Sequence, residues 1–362
     1  MDLERYNRFL EELSKRKKLV YEFLLSGNYN FYPDHIGDAV FSYMRQGGKS
    51  LRPAVLLFSC GAVGGDERRA IPAAAAVEVF HTWTLVHDDI IDRDKTRRGG
   101  PTVHEEFRIR AIEEMGYRSS EAKHYGMSVA MLAGDMQQGW AVSILADMAL
   151  KGDIDPKLAL YLIRDSEMRV LSILIDGELR DIQYSKVPME LLNETLILDM
   201  LWKKTGILYE FAGKAGAMIG LNTTDPNHEY VKAISSFTSK CGTAFQLQDD
   251  ILGVVGDEKK LVKPVGSDIR EGKRTLVLYH AYQNANPSQK EFLMSVLGNP
   301  RAKLSQIKEA IKLLKDLGGV SYTAHMARSY IIDALGYLES IPPSPYKDLL
   351  ESWALYMIER KF

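Results

Sequence analysis

The chain reads as an all-α protein on three observations. Apolar residues recur at three- and four-residue spacing through most of its length, as at Leu158, Leu160, Leu162 and Ile163 and then Val170, Ile173, Leu174 and Leu179. That spacing lines one face of a helix. Sustained period-two alternation, the mark of a half-buried strand, is hard to find. Many prolines also fall where helices would begin, at positions whose N–H has no intrahelical partner and whose φ proline already supplies.

Taken in order, the N-terminal MDLERYNRFLEELSKRKK is charged and amphipathic, unlike a signal peptide. Gly47-Gly48 marks a break, after which Pro53 introduces a helix through AVLLF and Pro72 another through AAAAVEVF. Gly99-Gly100 marks a turn. Pro156 introduces KLALYLI, Pro188 introduces MELL and Pro300 introduces RAKL. Asp155, Asp225 and Asn299 each precede a proline and are expected to cap helix N-termini, and Gly318-Gly319 marks a further tight turn. No low-complexity linker separates two compositions, so residues 1–362 read as one domain. Its recognisable chemistry lies at about 40–280, with helices and no evident chemistry at 300–362.

With 46 basic and 48 acidic residues the net charge is −2, which gives no support for a nucleic-acid-binding surface. Cys60 and Cys241 are too few for a disulfide framework and lack metal-ligand spacing, so a reducing cytoplasm is expected. The longest apolar stretch, Ala70 to Val86, carries Glu78 and His81 and is a poor membrane span.

The segment VHDDIIDRDKTRRGGPT, Val86 to Thr102, carries the strongest chemical signal. On a helix Asp88 and Asp92 project from nearly one face with Asp89 beside them, inside an apolar run that includes Leu85, Val86, Ile90 and Ile91. Crowded, desolvated carboxylates repel one another unless cations neutralise them. Oxygen-only ligation suits Mg²⁺ or Mn²⁺, and Mg²⁺ usually completes its shell with substrate phosphates. A second acidic segment, FQLQDD, ends at Asp249 and Asp250, and a charged loop, KPVGSDIREGKRT, follows it. Two helices presenting acidic faces to one cavity would hold metal ions bridged by a diphosphate.

The basic residues extend this reading. GGKSLRP places Lys49 and Arg52 three apart just before the Pro53 helix, and Arg97-Arg98 follows the first aspartates. Arginine binds phosphate in bidentate fashion and lysine acts as a compact charge, so these groups suit a second diphosphate bound without metal. His81, seven residues before Asp88, shares roughly the Asp88 face.

GGKSLRP, His81, DDIID, Arg97-Arg98-Gly99, Lys204-Thr205-Gly206, FQLQDD and KPVGSDIREGKRT, in this order and spacing, resemble the short-chain trans-isoprenyl diphosphate synthases, archaeal geranylgeranyl diphosphate synthases in particular. The resemblance covers roughly residues 40 to 280. It implies a bundle of long antiparallel helices around a deep cavity, normally a homodimer, that condenses isopentenyl diphosphate with an allylic diphosphate. It further implies that Asp88, Asp92 and Asp249 hold three Mg²⁺, with Asp89 and Asp250 supporting. Arg97, Lys204 and Lys263 would contact the allylic diphosphate, and Lys49, Arg52, His81 and Arg98 isopentenyl diphosphate. The Thr205 hydroxyl, the Gln246 amide oxygen and the Lys204 carbonyl would face the carbocation. Two positions depart from the family's pattern: Gly253 stands where farnesyl synthases carry a last aspartate, leaving Asp249 to act with Asp250 or Asp257, and Gly177-Glu178 stands for the usual Gly-Gln pair.

Product length is expected from the same helix. Trp83 and Phe80, five and eight residues before Asp88, would floor an apolar tunnel beside the small Thr84, giving the C20 product geranylgeranyl diphosphate, with C15 farnesyl diphosphate as the alternative. Two other readings stand beside this one. A terpene cyclase shares the ionisation step but has no second diphosphate for Lys49, Arg52 and Arg98 to bind. A phosphohydrolase using His87-Asp88 as its metal pair needs further histidines and leaves Asp249-Asp250 without a role.

Overall fold

The computed structural model describes residues 1–27, 29–255 and 266–359. The all-α expectation holds. The helices are α1 (Leu3–Ser26), α2 (Asp34–Gln46), α3 (Leu51–Ala62), α4 (Ile71–Ile91), α5 (Val103–Met115) and α6 (Ser119–Leu150), then α7 (Pro156–Arg164), α8 (Leu171–Tyr184), α9 (Glu194–Leu201), α10 (Ile207–Leu221) and α11 (Glu229–Val255). They are followed by α12 (Ser267–Glu271), α13 (Leu276–Asn284), α14 (Pro287–Val296), α15 (Leu304–Asp316), α16 (Gly319–Tyr337) and α17 (Pro345–Glu359). Among the described residues the β structure is one small hairpin, Thr96–Arg97 against Gly100–Pro101. Its turn residues Arg98 and Gly99 both have positive φ, 53° and 83°, as the tightest hairpin turns require.

The helix starts show which local signals prevail. Asp155 caps α7, its carboxylate accepting from the Lys157 N–H at 2.7 Å, and Pro72 sits in the first turn of α4. Other expectations are corrected. Pro188 introduces only a single turn of 3₁₀ helix, and α9 starts later, capped by Asn193. Asp225 and Asn299 close turns, accepting from Asn227 N at 2.8 Å and Arg301 N at 2.9 Å, while α11 and α15 begin at Glu229 and Leu304. In each case the Asx side chain bonds the N–H two residues on, which completes a turn by itself without committing the chain to a helix.

Burial explains the arrangement. α4 is apolar over most of its surface, with Glu78, His81 and Asp88 on the side that borders the cavity, and packs between α3 and α6, while α10 packs between α3 and α11. One core joins α1–α8, α10, α11, α16 and α17 around Phe58, Phe107, Phe237 and Trp353, and a second, around Leu276, Val277 and Ile307, joins α9 and the end of α11 to α12–α16. A helix apolar over most of its surface belongs inside, so the aspartates ending α4 are carried into the protein interior. No helix among the described residues is long and apolar enough to cross a membrane.

Candidate active site

One cavity of about 970 Å³ gathers most of the residues singled out above: Lys49, Arg52, His81, Trp83, Thr84, Asp88, Asp92, Arg97, Arg98, Lys204, Thr205, Gln246, Asp249 and Asp250 all line it. Asp89 and Phe80 do not. Asp89, 1 % exposed, turns away from the cavity, accepts from the Tyr43 hydroxyl in a short hydrogen bond and meets Arg97 Nε at 2.7 and 2.9 Å and Nη2 at 2.5 Å. Arg97 is thereby fixed with its edge toward Asp88, 3.8 Å away. Phe80 lies behind Trp83, the two rings edge to face with centroids 5.1 Å apart. Lys263 and Asp257 lie outside the described residues.

Carboxylate oxygens of Asp88, Asp92 and Glu178 approach within 4.8 Å of one another. Glu178 is brought there by its neighbour: a Cβ on Gly177 would lie 2.4 Å from the Lys204 nitrogen, so only glycine lets α8 press against the wide π-type turn at Trp202–Gly206. Such turns shift helical register, commonly at functional sites, and here Lys204 and Thr205 both reach the cavity. Lys204 Nζ stands 2.7 Å from Asp181, 2.9 Å from Glu178 and 3.5 Å from Asp88, and Lys273 Nζ stands 2.9 Å from Asp92. Burial works against charge on Lys204, but Asp88 and Asp181 outweigh it and hold the ammonium well above its ordinary range. Burial pushes Glu178 up to about 7, with Lys204 opposing and Asp88 adding to the rise. Asp92 is raised by burial in the same way, with Lys273 opposing. Glu178 Oε1 is buried with no hydrogen-bond partner. An all-oxygen cluster with an orphaned buried oxygen fits a hard divalent cation.

The second acidic segment forms another part of the wall. Thr205 Oγ1 donates to Gln246 Oε1 at 2.8 Å, and Gln246 Nε2 donates to Asp250 Oδ1 at 3.0 Å, a chain that fixes the amide's orientation. Asp250 is held well above the carboxylate range by burial and by Asp268. The Gly253 departure has a spatial answer: a Cβ at that position would meet the Asp268 carboxylate at 2.5 Å. Asp268, from α12, thus occupies the space a side chain at 253 would fill. In the sequence Asp268 and Lys273 stand only as members of the charged loop, and neither the fit of Asp268 over Gly253 nor the place of Glu178 and Asp181 in the cavity is legible there.

At the basic part of the cavity Arg98 donates to the Tyr43 carbonyl at 3.1 Å and, in a short bond, to the Gly47 carbonyl. Arg52 stacks over the Tyr209 ring, 4.3 Å from its centroid, and its Nη1 donates to His81 Nε2 at 3.1 Å. Burial pushes His81 well below the usual histidine range, and the nearby Arg52 and Arg98 add to this, so the ring is neutral and accepts from Arg52. Cationic groups and a neutral imidazole at one part of the cavity, with carboxylates and ammonium groups at another, suit two anions of different kinds. One would be held by cations alone and the other through metal.

The model of the polyprenyl synthetase family matches residues 33–314. The chain is 34% identical to a geranylgeranyl diphosphate synthase of Saccharolobus solfataricus over 326 residues, 90% of each chain. It is similar in structure to a geranylgeranyl pyrophosphate synthetase of Pyrococcus horikoshii Ot3 (TM-score 0.83, 35% identity, 98% and 99% of the two chains). A geranylgeranyl pyrophosphate synthase of Corynebacterium glutamicum, complexed with isoprenyl diphosphate and magnesium, gives a TM-score of 0.80 at 26% identity over the whole of both chains.

Proposed function

Because the chain belongs to the polyprenyl synthetase family, we propose that it is a Mg²⁺-dependent prenyltransferase that condenses isopentenyl diphosphate with an allylic diphosphate to give geranylgeranyl diphosphate. The observation that carries this reading is the joining of a metal-type acidic cluster and a metal-free basic cluster in one cavity with an apolar wall at Trp83. A cyclase would leave the basic cluster without a ligand, and a phosphohydrolase metal set is not assembled: His87 Nε2 donates to the Met131 carbonyl, 3.2 Å away, and His81, which also lines the cavity, is bonded to Arg52.

In this mechanism Asp88 and Asp92, joined by Glu178, and Asp249 elsewhere on the wall would hold three Mg²⁺, with Mn²⁺ able to serve instead. When bound, these ions supply Lewis-acid neutralisation of the departing diphosphate. Lys204, Lys273 and Arg97 add fixed positive charge around the allylic diphosphate, and Lys263 is assigned the same role by resemblance. Lys49, Arg52, His81 and Arg98 orient isopentenyl diphosphate so that its double bond faces the allylic carbon. The allylic C–O bond breaks, the double bond attacks the resulting cation, and the released diphosphate takes the final proton. Thr205 Oγ1 and Gln246 Oε1, locked by the Asp250 bond, turn fixed negative dipole ends toward the cation, an oxyanion hole with its sign reversed. The active species is a homodimer in this reading, a role for exposed apolar side chains such as Ile112 on α5 and Leu132 and Met136 on α6. Sedimentation velocity tests it.

Incubation with isopentenyl diphosphate, dimethylallyl, geranyl or farnesyl diphosphate and Mg²⁺, followed by chromatography, tests the activity. Elongated prenyl diphosphate supports it. Cyclic hydrocarbon, or hydrolysis without condensation, refutes it.

A further inference from the structure

We propose that Glu78 is a positioning residue for the basic loop, holding Lys49 and Arg52 in the arrangement that receives the metal-free diphosphate. This rests on the role given above to those two residues. Glu78 lies in α4, is 3 % exposed and borders the cavity. Its Oε1 accepts from Ser50 Oγ at 3.0 Å and from the Tyr21 hydroxyl at 3.1 Å, while Oε2 is buried with no hydrogen-bond partner. Burying a carboxylate is costly unless its oxygens are bonded, and the two bonds on Oε1 point to the use this one serves.

The use follows from the backbone it grips. Ser50 has φ 49° and ψ 42°, the left-handed conformation that few residues besides glycine and asparagine adopt. It is the hinge between the Gly47–Lys49 segment and α3, so its conformation decides where Lys49 stands relative to Arg52 in the first turn of that helix. The Glu78 bond holds that hinge, and Tyr21 from α1 steadies the carboxylate. On α4, Glu78, His81 and Asp88 stand three and seven residues apart, on roughly one face. One helix face therefore anchors the basic loop, meets Arg52 through His81 one turn on, and presents the first metal-site aspartate two turns beyond. The spacing between the two diphosphate sites is set by a single rigid element, and Glu78 registers the loop against it.

The test compares Glu78→Ala, Glu78→Gln, Ser50→Ala and Ser50→Gly in the full chain. Steady-state KM is measured for both substrates, and isopentenyl diphosphate is titrated calorimetrically without divalent metal. Loss of a charge-assisted tether is expected to raise the isopentenyl diphosphate KM about tenfold in Glu78→Ala, with the allylic KM and kcat within about twofold. Glu78→Gln, whose amide oxygen still accepts from Ser50 and Tyr21, should recover most of the affinity. Ser50→Gly, which adopts the left-handed conformation without strain, should bind better than Ser50→Ala. A Glu78→Ala enzyme with both KM values raised equally, or with a lower Tm and unchanged KM, overturns the proposal. If Glu78→Ala does not fold, the Ser50 pair decides, and wild-type affinity in Ser50→Ala overturns it. Lys49→Ala separates the two levels: if it weakens isopentenyl diphosphate selectively while the Glu78 and Ser50 variants do not, only the positioning role fails. If Lys49→Ala has no such selectivity, the assignment of the basic site itself fails.

Discussion

Replacing Trp83 with alanine should lengthen the product by one isoprene unit, and the geometry states why it should stop there. Trp83 borders the cavity and is 9 % exposed, and behind it Phe80 is 4 % exposed with its ring centroid 5.1 Å away. An isoprene unit extends a chain by roughly the 5.4 Å rise of one helical turn. Removing the indole therefore opens space for about one further unit before the growing chain meets Phe80. The expected main product moves from C20 to C25, and the Trp83→Ala, Phe80→Ala double variant releases a second step, to C30 and beyond. Truncating a buried tryptophan costs about 3–5 kcal/mol, and the low end applies here because part of the indole already faces the cavity. Product distributions after dephosphorylation, read by reverse-phase chromatography beside circular dichroism and Tm, measure both effects. A stably folded double variant still confined to C20 would refute the floor; lost stability with unchanged product length would assign both rings to the core alone.

Asp88→Ala and Asp92→Ala should each lower turnover by about three orders of magnitude or more with the circular dichroism unchanged, and either variant keeping above about a tenth of wild-type activity would break the metal assignment. Arg98→Ala should raise the KM for isopentenyl diphosphate far more than that for the allylic substrate; the reverse selectivity would mean the two diphosphate sites are exchanged. Glu178→Gln should weaken Mn²⁺ binding several-fold in an electron paramagnetic resonance titration, because one anionic oxygen of the cluster is lost, and unchanged binding would remove Glu178 from the ligand set. For pH, burial and then Arg52 hold His81 below the unfolded value of about 6.5. The folded chain binds that proton less readily than the unfolded one, so the contribution to stability is full above about pH 6.5 and is lost as pH falls below it. The drop in Tm from pH 7 to 5.5 should thus be smaller in His81→Gln than in wild type, and equal drops would contradict a buried neutral ring.

The helical class was readable from the sequence because helix periodicity is local: a 3.6-residue repeat of apolar side chains needs no knowledge of the partner it packs on. The aspartates and arginines were readable for a similar reason. Asp88 and Asp92 share a helix face through spacing alone, and Lys49 and Arg52 share a short stretch of chain. What tertiary structure alone decided involves side chains from distant segments. Glu178 joins Asp88 and Asp92 because Gly177 lets α8 touch the turn before α10. Asp268 stands in the space above Gly253 because α12 folds back on α11. Arg97 and Tyr43 are both committed to Asp89, and Phe80 is hidden behind Trp83, by the direction each side chain takes once α4 is enclosed. Glu78, which in the sequence only interrupted an apolar run, acquires its partners from α1 and the start of α3. Local patterns record which face a residue occupies; the charge that faces it across a cavity depends on how the helices pack, and no short window of sequence contains that information.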